Sequence, residues 1–241
     1  SIERRTKTDV PYGLYVSGGI DSALIETFHD FKHKFRYKDE DYTAEDFKSL
    51  FPKIVYHLDY PVKSFSPFGL WKLAEEASKK VKVVLSGEGA DELFGGYVRY
   101  LPDALYEQAR KKFPSYASMF PVKKTMNEWC WEEFNGNMRE LLRMGDRMAA
   151  AFGIENRCPF LDRRMIEFAF SIPLEYKMQG FDTKFILRKI LKRRNPTYKF
   201  EEKKGLFCSV NKWLGVGGEG FGKETYFKKQ KELYEKNLTK K

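Results

Sequence analysis

Three histidines and three cysteines in 241 residues leave little material for a transition-metal site built by the protein. Cys130, Cys158 and Cys208 are odd in number, far apart and form no CxxC pair. That argues against a disulfide scaffold and a thiolate metal site, and for a reducing, cytoplasmic compartment. His29, His33 and His57 show no metal-ligand spacing among themselves. No run of about eighteen apolar residues occurs, so no membrane span is expected. The opening SIERRTKTDV lacks the apolar core of a signal peptide. Repeats and low-complexity linkers are missing too. What remains, 42% hydrophobic and 32% charged residues, suits a packed core in one large domain or two small ones.

Excess charge is absent from most of the chain. Phe181 to Lys241 carries 17 basic and 7 acidic residues, a surplus that accounts for the whole net charge of +10 and leaves the first 180 residues neutral. A basic C-terminal third on a neutral body suits a polyanionic partner such as a nucleoside triphosphate, pyrophosphate or RNA. For the last stretch, KKQKELYEKNLTKK, a solvated helix is the plainer reading.

Two short apolar runs are each followed directly by glycine-rich turns. Gly13 to Val16 leads into Ser17-Gly18-Gly19-Ile20-Asp21-Ser22 and a helix-like segment; Val81 to Leu85 leads into Ser86-Gly87-Glu88-Gly89-Ala90-Asp91-Glu92. Ahead of the second run, Leu70, Leu73, Ala74 and Ala77 recur at helical spacing. Helix, apolar strand and glycine turn is the order of a parallel α/β sheet. His33 to Tyr37 reads as another strand and Ala44 to Leu58 as a helix. After Tyr100, segments 103–112, 129–153, 163–171 and 183–194 read as helices with no strand between them. The expected architecture is therefore an α/β layer over 1–100 capped by a mostly helical part over 101–241.

Both turns invite chemistry. Adjacent glycines after a buried strand let the backbone turn sharply with its N–H groups outward, a cradle for phosphate oxygens to which Ser17 and Ser22 add hydroxyls. Asp21 would repel phosphate unless a divalent cation sat between them. A plain glycine turn capped by Ser and Asp is the alternative. The second turn packs three acidic residues and four glycines into the twelve positions of SGEGADELFGGY. An acidic helix start favoured by the dipole accounts for Asp91 and Glu92 but not for Gly95-Gly96. If both turns leave the same edge of one sheet, they face each other where such sheets bind ligands.

SGGIDS after a strand resembles the pyrophosphatase-type ATP loop of GMP synthetase, NAD synthetase and argininosuccinate synthetase. The longer SGEGADELFGGY is similar to the synthetase domain of glutamine-dependent asparagine synthetase, as are DVPYG, FGIENRCPFLD (152–162) and the KKG at 203–205. β-Lactam synthetases and lasso-peptide cyclases share this domain. The resemblance implies an adenine nucleotide alpha-hydrolase-like α/β fold and an amide-forming ligase. Such an enzyme adenylates a carboxylate, that of the aspartate side chain, with ATP and Mg²⁺, releases pyrophosphate and transfers ammonia to give asparagine. It further implies that Ser17, Gly18, Gly19, Asp21 and Ser22 bind ATP and its pyrophosphate, and that Asp21 and Asp91 hold Mg²⁺. Ser86, Gly87 and Glu88 line the acyl and amine pocket with Glu88 as base, and Lys203, or Lys204 in its place, stabilises charge on the α-phosphate. Arg157 either serves the site or pairs with Glu155 or Asp162 beneath it.

Two departures stand against this pattern. Complete family members begin with a glutaminase domain headed by a cysteine, whereas this chain starts at Ser1 and has no cysteine before Cys130. Ammonia is then expected from a separate glutaminase domain or subunit, or from solution. The stretch from Ile25 to Tyr42 is also short, where the family has a further strand and helix. An adenylating enzyme acting on RNA and a non-catalytic scaffold are the other readings; neither a membrane nor a nucleic-acid partner is expected.

Overall fold

Alternation within two short strands decides the layering. In β1 (Tyr12–Tyr15), Leu14 and Tyr15 face opposite sides of the sheet; in β3 (Val83–Leu85), Val83 and Leu85 face one side and Val84 the other. All of these side chains are buried, so helices must cover both faces. The computed structural model describes residues 1–119, 122–200, 206, 208–215 and 219–238. In it β1 and β3 pair in parallel at the centre, with β2 (His33–Phe35) beside β1 and β4 (Glu155–Arg157) beside β3, in the order β2-β1-β3-β4.

A single turn, α1 (Ile2–Arg5), precedes β1, and α2 (Ile20–Glu26) joins β1 to β2. The chain then passes through α3 (Ala44–Leu58) and α4 (Ser66–Ser78) to β3, and through α5 (Ala90–Phe94), α6 (Leu101–Lys112), α7 (Met126–Asn135) and α8 (Asn137–Ala150) to β4. Beyond β4 come α9 (Arg163–Ser171), α10 (Leu174–Lys177), the hairpin β5 (Met178–Gln179) and β6 (Asp182–Thr183), α11 (Phe185–Arg194), α12 (Val210–Trp213) and α13 (Glu219–Leu238). Helices α2, α9 and α11 pack on one face through Leu24, Ile25, Ala169, Leu187 and Leu191. Helices α4 and α8 cover the other through Leu73, Ala77 and Ala149.

Helix α3 spans the expected residues because both its ends are written in the sequence. Thr43 and Asp46 form a capping box, and Asp59 ends the helix in a left-handed conformation. The single helix expected over 129–153 is two, broken at Gly136 between α7 and α8. The absence of strands after Tyr100 is also corrected, since β4 completes the sheet. Its residues, Glu155-Asn156-Arg157, sit on an edge with Glu155 exposed, so neither an apolar run nor an alternation marks them. The basic C-terminal helix is docked rather than free: Tyr226 is buried, and the Gln230 amide both accepts from Val62 N (3.2 Å) and donates to Val62 O (2.7 Å). Among the described residues no helix is long and apolar enough to cross a membrane. The three cysteines are free and buried.

Candidate active site

From β1 the chain moves outward to β2, then returns to place β3 on the other side of β1. The strand order thus reverses between β1 and β3, and the loops leaving their carboxyl ends border the crevice where open parallel sheets bind ligands. The loop after β1 is closed on itself. Ser22 Oγ accepts from Ser17 N (3.2 Å) and donates to Gly19 O (3.3 Å), while Gly19 N donates to Ser17 Oγ (3.2 Å). Ser22 is buried, so its hydroxyl shapes the loop rather than facing the crevice. Gly18 has φ +79°, and its carbonyl accepts from Tyr198 Oη at 2.9 Å. A β-carbon on Gly18 would stand 3.7 Å from Nη1 of Arg36, an exposed residue just past β2.

The loop after β3 leans directly on the first. A β-carbon at Gly87 would come within 2.7 Å of Asp21 Cβ and 3.2 Å of Ser22 N. This contact sets Asp21 against Asp91, and a third element completes the arrangement. Lys184, at the start of α11, places Nζ 2.7 and 2.6 Å from the two carboxylate oxygens of Asp21 and 2.8 Å from Asp91 Oδ1. Gly96, which no helix-start argument explains, has its reason here: a β-carbon would fall on Asp91 Oδ1 and Lys184 Cε. The sharp exit from α5 that brings Gly96 to this position runs through Gly95 at φ +68°. Gly89, at φ +92°, faces Leu161 from the PFLD stretch, so that stretch supports the second loop from below.

Four carboxylates, those of Asp21, Glu88, Asp91 and Glu92, act on one another around the Lys184 ammonium. Burial would lower the Lys184 pKa, but Asp21 and Asp91 outweigh it and hold it raised, so the side chain stays charged. Glu88 is pushed up to about 7 by burial first, then by the charges of Glu92, Asp91 and Asp21, with Lys184 opposing. Glu92 is also raised, chiefly by burial, and accepts a hydrogen bond from Tyr97 Oη.

The Glu88 shift has a measurable consequence. Between about pH 4.5 and 7 the unfolded chain releases the Glu88 proton while the folded chain keeps it, so folding stability falls as pH climbs through that window. Glu88→Gln removes that loss. In urea titrations without ligands, the variant should gain on the order of 2 kcal/mol relative to the parent between pH 5 and 8. A difference independent of pH would show that Glu88 is not desolvated.

Other sequence-derived candidates fall as follows. Ser86 is buried beneath the loop, its hydroxyl 3.5 Å from Cys158 Sγ, and burial pushes the Cys158 thiol up to about 11, which suits a packed residue and not a nucleophile. Arg157 is structural: it pairs with both oxygens of Glu155 (2.8 and 3.0 Å) and donates to Arg5 O and Lys7 O. Asp162 instead pairs with Arg4 and caps α9. Lys203 and Lys204 lie outside the described residues. The sequence reading missed Lys184, Arg36 and Tyr198. A lone lysine at a helix start carries no motif; the one trace of it is Gly96, which leaves room for it 88 positions earlier.

Whether Asp21 and Asp91 suit Mg²⁺ is tested by what lies between them. Both already converge on one centre of positive charge at 2.6–2.8 Å. Among the described residues no cluster of three or more His, Cys, Asp or Glu side chains could make a metal site from protein alone. One or two carboxylates completed by substrate phosphates and water is the way Mg²⁺ is commonly held, so the residues fit.

Comparison with known proteins agrees in extent and kind. The family model described as asparagine synthase matches residues 1–37 and 31–219, its two pieces overlapping at β2. Asparagine synthetase [glutamine-hydrolyzing] 1 of Bacillus subtilis is 27% identical over 308 residues, covering 89% of this chain and 49% of its own length. Asparagine synthetase [glutamine-hydrolyzing] 3 of Arabidopsis thaliana is 27% identical over 218 residues, covering 74% and 35%. Putative asparagine synthetase [glutamine-hydrolyzing] 2 of Methanocaldococcus jannaschii is 31% identical over 160 residues, covering 53% and 31%. The chain spans about half the length of the first curated relatives it matches. The 308 aligned positions exceed this chain's 241 residues, so the Bacillus protein carries additional segments within the matched region.

Proposed function

The chain belongs to the asparagine synthase family, and from that membership we propose that it forms an amide from a carboxylate, ATP and ammonia, with the aspartate side chain as acyl donor. A carboxylate is a poor acyl donor because its charge repels a nucleophile and its leaving group would be oxide. In the proposed reaction a carboxylate oxygen attacks the α-phosphorus of ATP, the bond to the β-phosphate breaks, and pyrophosphate leaves. Ammonia then attacks the acyl carbon, AMP departs with the C–O bond electrons, and the surplus proton passes to a base.

Each step has residues suited to it. Backbone N–H groups of the Ser17–Ser22 loop, with Ser17, Gly18 and Gly19, receive the pyrophosphate portion, and Arg36 beside Gly18 adds positive charge there. Asp21 and Asp91 would hold Mg²⁺, which supplies charge neutralisation to the departing pyrophosphate. Gly87 and Glu88 border the acyl and amine pocket above Ser86. A carboxyl group that titrates near 7 is matched to taking the ammonium proton at neutral pH. By the family resemblance, Lys203, or Lys204 in its place, would stabilise charge at the α-phosphate. The relatives' names, which include glutamine hydrolysis, support ammonia supplied by a separate glutaminase domain or subunit.

The observation that carries this reading is the meeting of Asp21 and Asp91 around one cation at the point where strand order reverses. ATP–pyrophosphate exchange in the presence of Mg²⁺ and aspartate tests it. Label should enter ATP only when a carboxylate substrate is present. Absence of exchange across a panel of amino-acid carboxylates, with no heat on titrating ATP and Mg²⁺, would identify a non-catalytic scaffold instead.

A further inference from the structure

Lys184 does more than close a salt bridge. It is one of two described non-glycine residues with positive φ (φ 52°, ψ 37°), a conformation that costs about 1 kcal/mol or more and persists where surroundings impose it. Those surroundings are the hairpin ending at Thr183, the seating of α11 on the core through Leu187 and Leu191, and the space left by Gly96. Together they aim a side chain only 4% exposed at the point between Asp21 and Asp91 where the proposed metal would be held.

This placement has an electrostatic consequence. Among the described residues the Lys184 ammonium already offsets half the charge of the Asp21 and Asp91 carboxylates, while burial raises Glu88 and Glu92 beside them toward their neutral forms. A free divalent ion would have to give up part of a strongly held hydration shell and displace that tethered ammonium for little net attraction. Arriving with a polyphosphate, the same ion brings its own anionic ligands, and the ammonium gains phosphate oxygens as alternative acceptors.

We propose that Lys184 is a positioning residue that acts as a resident counter-cation: it keeps Asp21 and Asp91 converged before substrates arrive and excludes free divalent metal, so that metal enters only with the nucleotide's phosphates. The proposal rests on the metal role assigned above to the two aspartates. It concerns ligand-free binding, so it can fail while exchange activity stands, and the reverse also holds.

The test is titration of the full chain with Mn²⁺, followed by its electron paramagnetic resonance signal, without nucleotide. The parent should show no Mn²⁺ site at sub-millimolar concentration, and adding pyrophosphate should create one. Lys184→Met removes the competing charge at similar length and should bind Mn²⁺ at least about tenfold more tightly than the parent. Lys184→Arg should restore the exclusion, and adding Asp91→Asn to Lys184→Met should remove the gained site. Equal Mn²⁺ affinity in parent and Lys184→Met overturns the proposal. If Lys184→Met does not fold, Lys184→Gln replaces it, and a tight nucleotide-free Mn²⁺ site in the parent alone is also decisive against.

Discussion

Asp21→Asn should reduce ATP–pyrophosphate exchange by about a thousandfold or more. Asparagine keeps the size of the side chain and one acceptor oxygen but loses the charge that a phosphate-bound metal needs. The Ser17–Ser22 loop keeps the hydrogen bonds of Ser17, Gly19 and Ser22, because none of them uses Asp21. Lys184 retains Asp91 at 2.8 Å, so the folded state should lose about 2 to 3 kcal/mol, less than a fully orphaned buried charge costs. Circular dichroism before the assay therefore separates a folded, inactive variant from an unfolded one. Exchange at the parent rate would remove Asp21 from the site, and with it the reading of the two loops as a nucleotide crevice.

Gly96→Ala should lower exchange by about a hundredfold while leaving the chain folded. Its β-carbon would occupy the position of the Asp91 carboxylate and the Lys184 side chain, neither of which can retreat without breaking the ion cluster. Overpacking of this kind costs about 1 to 3 kcal/mol, and a displacement near 1 Å at reacting groups commonly costs two orders of magnitude in rate. Gly153→Ala is the matched control. Gly153 has positive φ (65°), which Gly96 does not, and nothing lies within 4 Å of its added carbon. It should lose about 1 kcal/mol of stability and no activity. Equal exchange rates in the two variants would show that Gly96 serves only the turn.

These two glycines also show where a sequence is readable and where it is not. The turns themselves, SGGIDS and SGEGADELFGGY, stand out because each follows a buried strand, and α3 stands out because its caps are local. Gly95-Gly96 is visible as an anomaly, but its cause is not, since the side chain that needs the space arrives from α11. Lys184 is silent for the same reason: its partners lie 163 and 93 positions away, and no period or spacing encodes them. Arg36 reads as an ordinary charge in a short strand until the fold lays it beside Gly18. β4 escapes because an edge strand of polar residues satisfies its ladder with backbone alone. What is legible is local conformation and burial; what is not is the company a side chain keeps.

The cluster at the crevice has a bearing on how the chain comes to be folded. Asp21, Asp91 and Lys184 lie on segments far apart along the chain, and β4 joins the sheet only after the helical excursion α5 to α8. Contacts this distant along the chain form slowly, because loop closure must precede any gain from them. Until α11 docks on α2, the two aspartates lack the Lys184 ammonium, and their like charges are less well compensated. The cluster of Asp21, Asp91 and Lys184 therefore completes only when α11 docks, after the strands and loops that carry the two aspartates can already have formed.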